Sequence, residues 1–185
     1  MNIVYASNDG YARHLAVSLY SMLEHNADVK ELIVYVLSAG MSREYQDRLK
    51  QIGAEFGRTL TVIELGDLKE RFDYQIDTRG FDISAMTRLF SAGVLPPEVK
   101  KALYLDCDTV VLGSLKGLWE TDLAGNLVGM VMEPTVYTEI KAAIDLQQKE
   151  AYYNSGVLLM DLDGWRREEV QNQFMEFYSR KNGQL

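Results

Sequence analysis

The chain has 185 residues, 47% of them hydrophobic, with a formal net charge of −8, two histidines and a single cysteine. That is apolar material enough for one full core without disulfides or structural metal, while the acidic balance argues against nucleic acid or an anionic membrane as partner, since both need a basic face. One cysteine excludes an intrachain disulfide and a thiolate zinc cluster and fits a reducing compartment.

Asn2-Ile-Val-Tyr-Ala6 opens the chain as a short apolar strand, which leaves no room for a signal peptide. The cluster Ser7-Asn8-Asp9-Gly10 follows, and Asn8 or Asp9 is positioned to cap the next helix. Ala12, Leu15, Ala16, Leu19, Met22 and Leu23 recur at helical spacing up to Asn26. Leu32 to Leu37 reads as a second buried strand, Ser42 as the cap of a helix with Tyr45, Leu49, Ile52 and Phe56 inward, and Leu60 to Ile63 as a third strand. Strands alternating with helices predict an α/β fold with a mostly parallel sheet flanked by helices on both faces.

Between Gly66 and Asp82 the periodicity dissolves into a loop or irregular structure over the sheet edge. A helix carrying Met86, Leu89 and Phe90 is expected from Ser84 to Pro96 and Pro97, which terminate it. Ala102 to Leu105 and Val110 to Leu112 read as buried strands, with Leu115, Leu118 and Trp119 as packing residues of the loop that follows. Asn126 to Met132 reads as a strand, Thr138 to Gln148 as a polar helix, and Val157 to Met160 as another strand. A last helix is expected from Arg166 to Lys181, with Val170, Phe174, Phe177 and Tyr178 on one face and Asn182-Gly183 as its C-terminal cap. No run nears the roughly 18 apolar residues of a membrane span, so no transmembrane segment is expected and the predicted location is cytoplasmic.

The chemistry concentrates at Asp106-Cys107-Asp108, set between apolar runs. In an extended backbone residues two apart point to one side, so both carboxylates would share one spot and Cys107, a small apolar residue on the strand, would face away. Outside the carboxyl ends of the strands is where open α/β sheets bind ligands. Paired carboxylates repel unless a cation lies between them, and hard oxygens suit Mg2+ or Mn2+ with coordination sites left for phosphates. A solvated turn is the alternative reading of the triplet. No Gly-x-Gly-x-x-Gly follows the first strand, and neither a Lys-Ser/Thr phosphate loop nor a Gly-x-Ser-x-Gly elbow is present. His14 and His25 lie too far apart on the first helix to share a ligand and read as surface residues.

Taken together, Ile3-Val-Tyr-Ala-Ser-Asn-Asp-Gly-Tyr11, Ser84-x-x-x-Arg88-Leu, Tyr104-Leu-Asp106-Cys-Asp108-Thr-Val-Val, Ser114-Leu-x-x-Leu-Trp119 and Tyr153-Asn154-Ser-Gly-Val-Leu-Leu-Met-Asp161 resemble glycosyltransferase family 8, in order and across nearly the whole chain. The resemblance implies the GT-A (Rossmann-like) fold. It also implies a UDP-sugar donor, Mn2+ (or Mg2+) as cofactor, retention of anomeric configuration, and a saccharide or lipid-linked saccharide as acceptor. Ala6, Ser7, Asn8, Asp9 and Tyr11 match the uridine and ribose pocket, where an aromatic ring can stack and short polar groups can bond. Asn8 stands where relatives often carry Asp, and Gly10 where some carry Asn.

Arg88 matches an arginine that reaches the diphosphate or the sugar; the alternative is a surface ion pair. Asp106 and Asp108 match the metal ligands, with Cys107 between them in the same substrate-binding stretch, and Asn154 and Glu133 match the donor-sugar pocket. Asn154 can instead cap the strand after it. Relatives continue with an Asp-Gln pair beside the donor sugar and a metal-binding histidine, which this sequence lacks. The catalytic residue is therefore unassigned, and residues 1–185 are expected to form a single nucleotide-sugar-binding domain truncated at its C-terminus. The competing expectations are a non-catalytic nucleotide-sugar-binding module and a different GT-A nucleotidyltransferase. The latter class usually carries a basic, Gly-rich loop where this chain has Asn8-Asp9-Gly10.

Overall fold

The computed structural model describes residues 1–66, 83–133, 141–142 and 146–180. The chain begins with β1 (Asn2–Ser7), α1 (Ala12–His25), β2 (Ile33–Ser38), α2 (Arg43–Glu55) and β3 (Thr59–Glu64). A 3-10 helix (Ile83–Phe90) runs into α3 (Ser91–Val94), then β4 (Lys101–Leu105), α4 (Lys116–Trp119) and β5 (Val128–Met132). The chain ends in β6 (Tyr153–Asp161), α5 (Leu162–Arg167) and α6 (Val170–Arg180). The expected loop over residues 67–82, the side chain of Ser84, most of the helix expected at 138–148 and the cap at 182–183 lie outside the described residues.

Among the described residues one six-stranded sheet has the order β3-β2-β1-β4-β6-β5. β1 pairs parallel with β2 and with β4, and β2 with β3, as the alternation of strand and helix requires. Strand alternation sends Ile3 and Tyr5 of β1 into the core on one face of the sheet, beneath α1 and α2. Val4 and Ala6 enter the other face, against Phe90, Trp165 and Tyr178. The sheet is therefore covered by helices on both sides, as expected.

Five of the six strands run the same way, as expected of a mostly parallel sheet, and three details go beyond or against the expectation. First, β6 runs antiparallel to both neighbours, β4 and β5. An apolar run carries no information about direction, so Val157 to Met160 could be recognised as a strand but not oriented. The reversal matters for the site, because it lays the start of β6 beside the end of β4, with Leu105 opposite Val157.

Second, Val110 to Leu112 is not a strand. Only Val111 is buried, while Val110 and Leu112 are 58% and 82% exposed. The amides here are satisfied by α1 side chains instead of a neighbouring strand: Val111 N–H donates to Ser21 Oγ (3.0 Å) and Leu115 N–H to Asn26 Oδ1 (2.7 Å). Leu115 and Trp119 pack on the core as expected, whereas Leu118 is exposed.

Third, the last helix is two. α5 starts earlier, at a cap the periodicity did not reveal, where Asp161 Oδ1 accepts from Gly164 N–H (3.0 Å). It breaks at Glu169, whose φ of 51° no helix accommodates. The break lets Trp165 reach Leu127 O with its ring N–H (2.9 Å) while α6 turns Tyr178 into the core and leaves Phe177 exposed.

Candidate active site

The carboxyl ends of β1 and β4 and the start of β6 meet at one end of the sheet, the place where open α/β sheets take ligands. Asp106 is the first residue beyond β4, and its N–H donates to Gly156 O (2.7 Å), which extends the β4–β6 ladder by one bond. Its Oδ1 accepts from Tyr104 OH (2.7 Å) and faces Arg88 Nη2 at 3.1 Å. Tyr104 and Asp106 are two apart and so share a side of the strand. Burial pushes the Tyr104 hydroxyl well above the ordinary phenol range, so it stays a donor.

Arg88 is 9% exposed, a charge that survives burial because every side of it is engaged. Its guanidinium lies 4.6 Å from the Tyr104 ring centre, and its Nη1 donates to Ser155 O and to Ser155 Oγ (3.2 Å). The alternative reading of Arg88, an ion pair, is thus present, but with the arginine buried instead of at the surface, and it welds the 3-10 helix to β4 and β6. Asp106 Oδ2 lies against Gly156, where an added Cβ would fall 2.8 Å from that oxygen and 3.0 Å from Asn154 Oδ1. The missing side chain permits this close approach, because the carboxylate occupies the place a Cβ would take.

The triplet itself is a turn: Thr109 N–H donates to Asp106 O (3.3 Å). The alternation expected of extended backbone therefore fails, and the two carboxylates are placed differently. Asp106 is half-buried against Arg88, whereas Asp108 is exposed and lines a cavity of about 310 Å³ with Arg13, His14, Val17, Cys107, Thr109 and Val110. Cys107 is buried, and its Sγ donates to Ala6 O (3.0 Å), tying the turn to the end of β1. Burial pushes the thiol up to about 12, with the Asp106 and Asp108 charges pushing the same way against a lowering bond from Ser7, so Cys107 is no nucleophile.

At the end of β1, Ala6 and Ser7 are buried, and Ser7 Oγ donates to Asn8 O (3.2 Å). Asn8, not Asp9, bonds the start of α1 with its side chain. Tyr11 holds the cap position, Asn8 Oδ1 accepts from Tyr11 N–H (3.2 Å), and Asp9 Oδ1 reaches across to accept from Ser42 N–H (2.6 Å) at the start of α2. Tyr11 is exposed, with its ring 5.5 Å from that of His14. Asn154 is exposed and its Oδ1 accepts from Gly156 N–H (2.7 Å), so it shapes the turn of β6 beside Asp106. Glu133, just past β5, donates its N–H to Tyr152 O (2.8 Å) at this same end of the sheet.

Sequence reasoning missed Tyr104, Ser155 and Gly156. The two-residue spacing of Tyr104 from Asp106 was the available signal for the first; the other two depend on the direction of β6.

Carboxylate oxygens such as those of Asp106 and Asp108 are hard ligands of the kind that suit a divalent cation completing its shell with phosphate oxygens. Among the described residues no group of three His, Cys, Asp or Glu gathers to hold one.

A model of the Glycosyl transferase family 8 matches residues 2–185. General stress protein A of Bacillus subtilis is 25% identical over 178 residues, covering 96% of this chain and 61% of that protein. The lipopolysaccharide 1,3-galactosyltransferase of Salmonella typhimurium is 25% identical over 179 residues, covering 95% of this chain and 52% of that protein. Among solved structures, the galactosyltransferase LgtC in complex with donor and acceptor sugar analogs matches with a TM-score of 0.82 at 28% identity, over 97% of this chain and 64% of LgtC. The chain thus spans between half and two thirds of the length of these relatives.

Proposed function

This chain belongs to glycosyl transferase family 8 and has the GT-A fold of its structural relatives, and from that footing we propose that residues 1–185 are one domain that binds a UDP-sugar with Mn2+ (or Mg2+) and serves transfer of a hexosyl group, with retention, to a saccharide or lipid-linked saccharide. The observation that carries the reading is the meeting of Arg88, Asp106 and the Asn154–Gly156 turn at the carboxyl end of β4, with the Asp108 turn tied to β1 through Cys107. LgtC, whose structure holds donor and acceptor sugar analogs, has this fold.

Tyr11, exposed at the start of α1, offers a ring face to a base, and Asn8 and Asp9 line the same corner next to the buried Ser7. Asp106 and Asp108 would hold the metal, which screens the diphosphate and stabilises it as a leaving group. Arg88 keeps Asp106 oriented and brings positive charge to the sugar end of the site, while Asn154 and Glu133 border the space for the sugar. A free buried cysteine suits action in the cytoplasm.

The absence of a third ligand among the described residues favours a second reading, a module that binds the nucleotide sugar without reacting it. Release of UDP from UDP-galactose and UDP-glucose in the presence of Mn2+ separates the two. Transfer chemistry requires UDP release that stops when the metal is chelated or Asp108 is replaced by Asn. Metal-dependent binding with no release would establish the module, and neither binding nor release would defeat both readings.

A further inference from the structure

The turn that carries Asp106 and Asp108 has no strand directly after it to hold it, yet it and the loop beyond are pinned at three points by one helix and its C-terminal cap. Ser18 Oγ lies 2.9 Å from Thr109 Oγ1 and 3.2 Å from Tyr5 OH. Thr109 Oγ1 in turn donates to Asp106 O (2.7 Å). One helical step on, Ser21 Oγ accepts from Val111 N–H (3.0 Å) while donating to Ser18 O (2.9 Å). At the helix end Asn26 Oδ1 accepts from Leu115 N–H (2.7 Å), and its Nδ2 donates to Met22 O (2.9 Å). Ser18 and Asn26 are fully buried.

Residues three apart on a helix share a face, so Ser18 and Ser21 form a polar edge along the apolar stripe of Leu15, Leu19 and Met22, which Asn26 completes past the last turn. Helix stability does not call for polar residues there, since alanine forms helix better than serine. What they satisfy is the backbone of another segment.

We propose that Ser18, Ser21 and Asn26 are positioning residues for the metal-binding turn, a role that rests on the reading of Asp106 and Asp108 given above. α1 begins at Tyr11, in the corner assigned to the base, and its polar edge grips the loop that begins at Asp108. One rigid element therefore sets the separation between the two ends of the nucleotide site. Loosening the grip leaves both carboxylates in the chain and lets the turn sample arrangements in which Asp108 no longer faces the phosphates.

Ser21→Ala is the cleanest probe, because it removes the acceptor for Val111 N–H and adds helix propensity. Thr109→Val removes the link between Ser18 and Asp106 O at nearly constant shape, and Ser21→Thr and Thr109→Ser restore the hydroxyls. Amide exchange at Val111 in the unliganded protein, thermal melting, and calorimetric affinity for UDP with Mn2+ are measured together.

In Ser21→Ala, exchange at Val111 should quicken about tenfold and UDP affinity should fall about fivefold, the worth of one net hydrogen bond. The melting temperature should hold, and Ser21→Thr should recover both other readings. Unchanged exchange, or faster exchange with undiminished affinity, would overturn the positioning role. Failure of the unsubstituted protein to bind UDP with Mn2+ would instead defeat the donor-site reading and this role with it, while the exchange data would still report whether the grip exists.

Discussion

Gly156→Ala perturbs the site with a single methyl group. The new Cβ would stand 2.8 Å from Asp106 Oδ2, 3.0 Å from Asn154 Oδ1 and 3.4 Å from Asp106 Cγ. Ordinary contact begins near 3.4 Å, so the carboxylate must retreat by about 0.6 Å. It cannot do so freely, because Oδ1 is held by Tyr104 OH at 2.7 Å and Arg88 Nη2 at 3.1 Å. Stretching one of these bonds costs about 1 kcal/mol, the low end for a charged hydrogen bond because Asp106 is 32% exposed and water replaces part of it.

The backbone at 156 is outside the left-handed region, so alanine returns roughly 0.4–1 kcal/mol through the unfolded chain. Melting should therefore shift by no more than about 3 °C. Binding should suffer far more, since a misplacement of this order at a ligand atom costs about tenfold or more. The assay is UDP titration with Mn2+ beside a thermal melt. Wild-type affinity in Gly156→Ala would refute the idea that the position of Oδ2 serves a ligand, and collapse of the fold would show that the glycine serves packing instead.

Arg88→Met strands Asp106 beside the Tyr104 ring and removes the bonds to Ser155. It should cost about 2 kcal/mol after allowance for the partial exposure of Asp106, read from urea denaturation, and a loss under about 0.5 kcal/mol would contradict the buried ion pair. Tyr104→Phe removes only the hydroxyl that fixes Asp106 Oδ1; UDP affinity with Mn2+ should fall about fivefold with the melting temperature nearly unchanged, and an undiminished affinity would free Asp106 from this partner. Cys107 is raised from an ordinary 9.0 to about 12 in the folded chain, so its contribution to stability is complete below pH 9 and is lost as the pH climbs from 9 to 12. By pH 10 the loss should be about 1 kcal/mol, with the buried hydroxyls of Tyr5 and Tyr104 pushing in the same direction. Urea midpoints at pH 8 and pH 10 should differ less in Cys107→Ala than in the wild type, and equal differences would contradict the buried thiol.

Much of the architecture could be read from periodicity, because β1 to β4 and α1 and α2 bury one stripe or both strand faces in the two cores that line the sheet. What could not be read depends on partners far away in sequence. The direction of β6 is set by its neighbours and decides which residues join Asp106. The loop after Asp108 has the composition of a strand, yet its amides go to Ser21 and Asn26, residues that look like ordinary helix positions until the loop is laid against them. Glu169 breaks a helix that composition alone would continue. At the site, the triplet and Arg88 were recognisable as chemistry, while the division of labour between a half-buried Asp106 and an exposed Asp108 required the turn itself.

The most direct test of the donor-binding account is calorimetric titration with UDP, with Mn2+ present and then chelated, of the wild-type chain beside Asp106→Asn and Asp108→Asn. The account predicts saturable binding that needs the metal in the wild type and is lost in both variants. Binding that persists in both variants, or that ignores removal of the metal, would contradict it.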